Sequence, residues 1–206
     1  MKIDRITPSP HIVGRVLVFL EDGQCLKITE QELLDFGLRS GDDLDDQTLS
    51  QLQSQADTSH VQAKGAALIG KRAMSSQALL KKLQAQGAAH HDATHAVEWL
   101  EAIGALDDRG YAATLVRHYS AMGYGRQRLK AKLQEKDVPR DLWDEALEEA
   151  PEPDDQIQKF IAKKLGDDAN PDMKTIKKVS DALMRRGFSW SDIKQGLDRY
   201  KNSVDD

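Results

Sequence analysis

The residues in this chain with the most to offer chemically are cationic. Arg126, Arg128, Lys130, Lys132 and Lys136 crowd one short stretch, and Arg117 precedes them. At helical spacing Leu129 and Leu133 mark an inward face. Arg126 and Lys130 then fall on one side of it, and Arg128, Lys132 and Lys136 fall on the other at i, i+4 and i+8. Such a face has two readings. The long stems can cover the edge of an apolar core while their heads stay in water, or the heads can form a ridge that meets phosphate or an acidic protein surface. Lys81 and Lys82 upstream, and Lys177, Lys178, Arg185 and Arg186 downstream, extend the candidate surface.

Other chemistry finds little footing. His91 and His95 share a helical face, but no cysteine or acidic residue completes a metal set and no HExxH pattern is present. Cys25 reads as a small buried hydrophobe in a strand. The run Asp42-Asp43-Leu44-Asp45-Asp46 lacks calcium-loop spacing. Gly123-Tyr124-Gly125 joins two helices without the Lys-Ser/Thr of a phosphate loop. No acid, base and nucleophile converge, so neither an enzyme nor a metal or cofactor is expected. Trp99 and Trp143 read as core; Trp190 and Phe188, beside Arg185-Arg186-Gly187, are candidates for a partner contact.

What must position the cations is a repeat of 50 residues. Leu79, Leu129 and Val179 share one phase, Leu83, Leu133 and Leu183 a second, and Val97, Leu147 and Leu197 a third. Between the second and third sets lies a turn at Gly87, Asp137 and Gly187. Repeated hairpins of this kind stack and share a continuous core. The expected helices run over about 61–71, 75–86 and 90–103, then 108–121, 125–136 and 139–149, then 154–165, 171–186 and 190–200, with the last six residues frayed. Ser75 or Ser76 caps the second of these, and Pro139 suits a first turn.

The N-terminal part differs. Val13 to Leu20 is rich in β-branched residues, and Asp22-Gly23 suits a two-residue turn that would pair Phe19 with Leu26 and Leu17 with Ile28. Lys2 to Thr7 offers a third strand, and short helices are expected over 30–36 and 46–56. The expected fold is therefore mainly α. Three tandem three-helix repeats (59–106, 107–150 and 151–206) form an elongated, curved helical stack behind a β-hairpin-containing module at 1–58.

Bulk properties agree. Charged residues make up 31% and aromatics 5%, a balance for a solvated helical protein. The net charge of −5 resides in residues 1–60, which carry −6, against +1 for 61–150 and zero for 151–206. Tight DNA binding by bulk charge is thereby disfavoured, although a local basic stripe is not. The single cysteine, the lack of a signal-like N-terminus and the lack of an apolar span point to the cytoplasm with no membrane role.

Several stretches carry a family likeness. They are Lys71-Arg72-Ala73-Met74-Ser75 leading to Leu79-Leu80-Lys81-Lys82-Leu83 and Gly87; Leu100 through Gly104-Ala105-Leu106-Asp107-Asp108 to Tyr111; Gly123-Tyr124-Gly125 leading to Leu129 and Lys132-Leu133; and Leu183-Met184-Arg185-Arg186-Gly187-Phe188-Ser189. With Ile3 to Leu44 as an N-terminal extension, the chain resembles the RecX family of recombination regulators along nearly its whole length. It departs from the family pattern at Ala78, Ala88 and Asp137. The resemblance implies a nonenzymatic monomer that binds the RecA recombinase filament on single-stranded DNA, reduces its ATP hydrolysis, strand exchange and co-protease activity, and makes at most weak direct contact with DNA. A stand-alone helical DNA-binding protein acting through the basic face of the middle repeat is the alternative, and a scaffold for another protein is a third reading.

Overall fold

In the computed structural model, which describes residues 1–166 and 171–204, β-branched sequence becomes strand at the N-terminus and the apolar repeat becomes helix thereafter. Strands β1 (Ile3–Pro8), β2 (Arg15–Leu20) and β3 (Cys25–Thr29) form an antiparallel sheet in that order. The hairpin register differs from the expected one by a residue: Phe19 pairs with Cys25, Val18 with Leu26 and Val16 with Ile28. The cause is the turn. Gly23 takes φ +89° and its N–H bonds the Leu20 carbonyl, while the Leu20 N–H bonds Gln24, which makes a three-residue loop closed by a left-handed glycine. A one-residue slip exchanges the faces of the strand. Val16, Val18 and Leu20 are therefore buried with Ile28, and Phe19 lies outside beneath the Arg5 guanidinium, 4.4 Å away. Cys25 is exposed rather than buried, since it sits opposite Phe19.

Two units make up the chain: Met1–Arg72 with Leu79–Leu106, and Ala73–Ala78 with Asp107–Asp206. In the first, α1 (Glu30–Asp35) is held by a capping box between Thr29 and Glu32. Next comes α2 (Asp46–Lys71), one helix of 26 residues where two shorter helices were expected. Thr58 and Ser59, in the expected gap, return their hydroxyls to the carbonyls of Ser54 and Ala56, so neither breaks the helix. Its first half closes the sheet core through Leu49, Leu52 and Ala56. Its second half packs on α4 (His90–Ala102), and a Cβ at Gly65 would lie 3.0 Å from Leu100 Cδ1. Between α2 and α4 runs α3 (Ser76–Ala85), which buries Leu79 and Leu83.

In the second unit α5 (Asp108–Ala121), α6 (Arg126–Glu135) and α7 (Trp143–Glu148) enclose Leu115, Val116, Leu129, Leu133 and Leu147. The third helix of this group enters through one 3-10 turn, Arg140–Leu142, after Pro139. A second group, α8 (Pro153–Leu165), α9 (Met173–Arg185) and α10 (Trp190–Val204), encloses Ile157, Ile161, Val179, Leu183, Ile193 and Leu197. Helix α10 continues through Val204 where fraying was expected after Tyr200; residues 167–170 and 205–206 lie outside the described residues.

All nine phase-matched residues of the repeat are buried. The hydrogen bonds repeat as well. Ala88 N–H bonds the Leu83 carbonyl, Val138 bonds Leu133 and Phe188 bonds Leu183, at 3.1, 3.0 and 3.3 Å. Each closes a left-handed turn, at Gly87 (φ +91°), Asp137 (φ +53°) and Gly187 (φ +90°).

Candidate interaction surface

Helix α6 carries the basic face, and its own ends show how it is fixed. Gly125 offers no side-chain cap, so the first N–H groups of the helix need other acceptors. They find them in the turn after α9: the Gly125 N–H bonds the Arg186 carbonyl at 2.8 Å and the Gln127 N–H bonds the Gly187 carbonyl at 3.0 Å. The two backbones touch. A Cβ at Gly125 would lie 2.7 Å from the Gly187 carbonyl, and one at Gly187 would lie 2.7 Å from Arg128 Cβ and nearer still to its amide nitrogen. At the other end of α6, the Ser75 hydroxyl donates to the carbonyls of Lys136 and Asp137 at 2.9 and 2.8 Å while accepting the Ala78 N–H as the N-cap of α3. Ser76 bonds the Asp108 carboxylate through both its N–H and its hydroxyl.

The expected cations divide among several environments. Lys132 sits with its ammonium 2.6 Å from Glu135 and 5.3 Å from the Tyr119 ring, its side chain only 18% exposed. That hydrogen bond holds the Lys132 ammonium above the ordinary lysine range and Glu135 below the ordinary carboxylate range. Lys136 approaches the same carboxylate at 4.0 Å. Arg128 lies over Tyr124 at 5.9 Å, and Tyr119 and Tyr124 are parallel at 5.8 Å, so Arg128 and Lys132 flank a stacked tyrosine pair. On the other flank Arg126 reaches Asp144 at 3.9 Å, and Lys130 is half-buried. Arg117 on α5 pairs with Glu149 at 3.2 Å. Lys177, Lys178 and Arg185 are exposed on α9; Lys81 and Lys82 are exposed on α3, in the first unit.

Arg186 is different. Its guanidinium lies 4.7 Å over the Phe160 ring and donates to the carbonyls of Met122 and Gly123, both at 3.4 Å. It clamps the α5–α6 turn to α8. Around it opens a cleft of about 720 Å³ between α5 and α8, lined by Arg117, Lys159, Lys163, Lys164 and Arg186 and by the carboxylates of Glu149 and Asp155. Sequence reasoning missed Lys159, Lys163 and Lys164. The available signal was their place beside Gln156 and Phe160, off the buried Ile157–Ile161–Leu165 row of α8.

The aromatic residues depart from expectation in two places. Phe188 is buried in the α8–α10 core, whereas Trp190 is 57% exposed. Trp99 is 38% exposed, because its position on α4 lies off the row Ala93–Ala96–Val97–Leu100 that is buried. Trp143 is half-buried and donates its Nε1–H to the Val138 carbonyl at 2.9 Å. The rings of His91 and His95 lie 5.7 Å apart, and His91 faces Asp92 at 3.3 Å.

Fold and surface together define a protein of tandem three-helix domains that presents charged and aromatic side chains. The comparisons with known proteins carry this further. A model of the second three-helix domain of RecX matches residues 107–147, and a model of the third matches residues 152–197. The regulatory protein RecX of Xanthomonas campestris pv. campestris (strain B100) is 32% identical over 129 residues, 62% of this chain and 79% of the relative. That of Bacillus licheniformis is 27% identical over 99% of this chain and 79% of its own length. A crystal structure of regulatory protein RecX superposes with a TM-score of 0.74 at 20% identity, covering 96% of this chain and 98% of the other. The structure of RecX from Lactobacillus salivarius gives 0.62 at 15%, over 72% and 97%. The chain belongs to the RecX family, a family of regulatory proteins. Among the described residues no helix is long and apolar enough to cross a membrane.

Proposed function

We propose that this protein is a nonenzymatic regulator that binds RecA filaments on single-stranded DNA and lowers their ATP hydrolysis, strand exchange and co-protease activity. The observation that carries the reading is kinship with proteins named regulatory protein RecX, at 32% identity across 79% of one relative. The surface supports it. The cations of α5 and α6 are interleaved with carboxylates at Glu135, Asp144 and Glu149, a pattern suited to a protein surface that carries both signs rather than to a bare phosphate chain. Lys81, Lys82, Arg117, Arg126, Arg128, Lys130, Lys132, Lys136, Lys177, Lys178, Arg185 and Arg186 remain the contact candidates, with Arg186 acting chiefly by fixing the joint.

The second reading, a stand-alone DNA-binding protein, draws on one observation: Arg128 and Lys132 beside the stacked Tyr119 and Tyr124 make a cation–aromatic surface suited to unpaired bases. Fluorescence anisotropy of labelled oligo(dT), bare and coated with RecA, separates the two. The filament reading expects tighter binding to the coated strand. Equal or tighter binding to the bare strand, falling steeply with salt and lost on reversing Arg126, Arg128, Lys130 and Lys132, would favour the alternative.

A further inference from the structure

We propose that the cleft between α5 and α8 is a docking site for an extended peptide segment of a partner protein, one carrying acidic side chains beside a large apolar one. The proposal rests on the reading of the chain as a protein-binding regulator and supplies a specific contact for it.

Two polar atoms on the cleft wall have no partner. Ser120 is only 5% exposed, and its hydroxyl makes no hydrogen bond; the Gln156 carbonyl oxygen, also buried, makes none. Both residues line the cleft. Buried polar groups nearly always find a partner, so an open hydroxyl on α5 and an open carbonyl on α8, both lining the cleft, mark a place where another molecule completes them. The chemistry of the pair is selective. A serine hydroxyl can donate and a glutamine carbonyl must accept, so the two together match a group that offers both an acceptor and a donor. A peptide unit offers both. A phosphodiester at neutral pH offers acceptors alone.

Charge points the same way. Lys159, Lys163 and Lys164 form no ion pair among the described residues, so they are available to carboxylates of an incoming chain. Glu149 at the end of α7 and Asp155 on α8 also line the cleft, where an unbroken polyanion would meet repulsion. Spaced acidic side chains on a peptide avoid that conflict. Phe160 beneath Arg186, with the 51% exposed Met122 beside it, supplies a surface for an apolar side chain. A volume of about 720 Å³ lies within the range of built ligand clefts.

The test uses the full chain and fluorescein-labelled probes. One is a ten-residue peptide of alternating glutamate and leucine with one phenylalanine, one is its lysine-for-glutamate counterpart, and one is oligo(dT). The acidic peptide should bind more tightly than the lysine peptide, and Lys159→Glu with Lys163→Glu should weaken it by about tenfold or more. Ser120→Ala should weaken it by about threefold, the scale of one lost hydrogen bond. Lys194→Glu, a charge reversal on α10 away from the cleft, should leave it unchanged, and circular dichroism melts identify any variant that fails to fold. Equal binding of the two peptides, or acidic-peptide binding indifferent to the cleft variants, would overturn the proposal. So would oligo(dT) that competes with the peptide and is lost in the Lys159/Lys163 variant, since nucleic acid would then be the occupant. RecA inhibition that persists without peptide binding refutes this site alone; peptide binding without any effect on RecA refutes the proposed function alone.

Discussion

The turn that ends α6 and the turn that ends α9 make the same hydrogen bonds, yet one is built on Asp137 and the other on Gly187. Both residues are left-handed, at φ +53° and +90°. Backbone conformation alone therefore does not demand glycine, because aspartate tolerates this region better than most side chains do. The demand at Gly187 comes from packing: α6 begins against it, and any Cβ there collides with the backbone of Arg128. Gly87, in the third equivalent turn, has the same φ as Gly187 but no atom within 4 Å of the place a Cβ would occupy. One repeated motif thus does two jobs. It ends a helix in all three copies, and in two of them it also receives the start of an earlier helix, through backbone contact with Gly125 at the Gly187 turn and through the Ser75 hydroxyl at the Asp137 turn.

This comparison can be broken by substitution. Gly187→Ala adds left-handed strain to a backbone collision and should cost about 3 kcal/mol in urea unfolding. Gly125→Ala, at an ordinary φ of −80° but facing the Gly187 carbonyl, should cost about 2 kcal/mol from the collision alone. Gly87→Ala should cost only about 1 kcal/mol, the left-handed term by itself. If Gly87→Ala were as damaging as Gly187→Ala, close approach would not be what distinguishes the turns. Asp137→Gly should be neutral or gain up to about 1 kcal/mol by removing the same term.

The smallest effect expected concerns pH. Asp172, which caps α9, has its carboxyl held below the ordinary range by the Thr175 side chain and N–H. A carboxyl whose folded pKa is lowered favours the fold above the usual aspartate value of about 3.9 and loses that contribution as pH falls through the folded value. Asp172→Asn should therefore lower stability slightly at pH 7 and narrow its difference from the parent protein below about pH 4, read from thermal melts. A difference that widened in acid would contradict the assignment.

The helical repeat was legible because packing at nine phase-matched positions leaves a direct record in residue type, and because Gly87, Asp137 and Gly187 hold their places within it. The hairpin register was not, since Asp-Gly suits both two-residue and three-residue turns and only the hydrogen bonds of Leu20 and Gly23 decide between them. The gap expected between two short helices misread Thr58 and Ser59, whose hydroxyls can serve helix or turn. At the surface, the cations of α3, α6 and α9 could be named from sequence while Lys159, Lys163 and Lys164 of α8 were missed, and most partners could not be named. Arg117 meets Glu149 and Arg186 meets Phe160 across long sequence separations, and the cleft they line draws on α5, α8 and the turn after α9. Glu135, three residues from Lys132, and Tyr124, four residues from Arg128, were partners that spacing could have revealed.

The central claim, that this protein restrains RecA on single-stranded DNA, is tested most directly by ATP hydrolysis. RecA is assembled on circular single-stranded DNA, and its hydrolysis rate is followed as the protein is added. The account predicts a dose-dependent fall in rate, diminished for Gly187→Ala at a temperature where that variant's α8–α10 group has lost its structure. A rate unchanged at a large molar excess of the folded protein would contradict it.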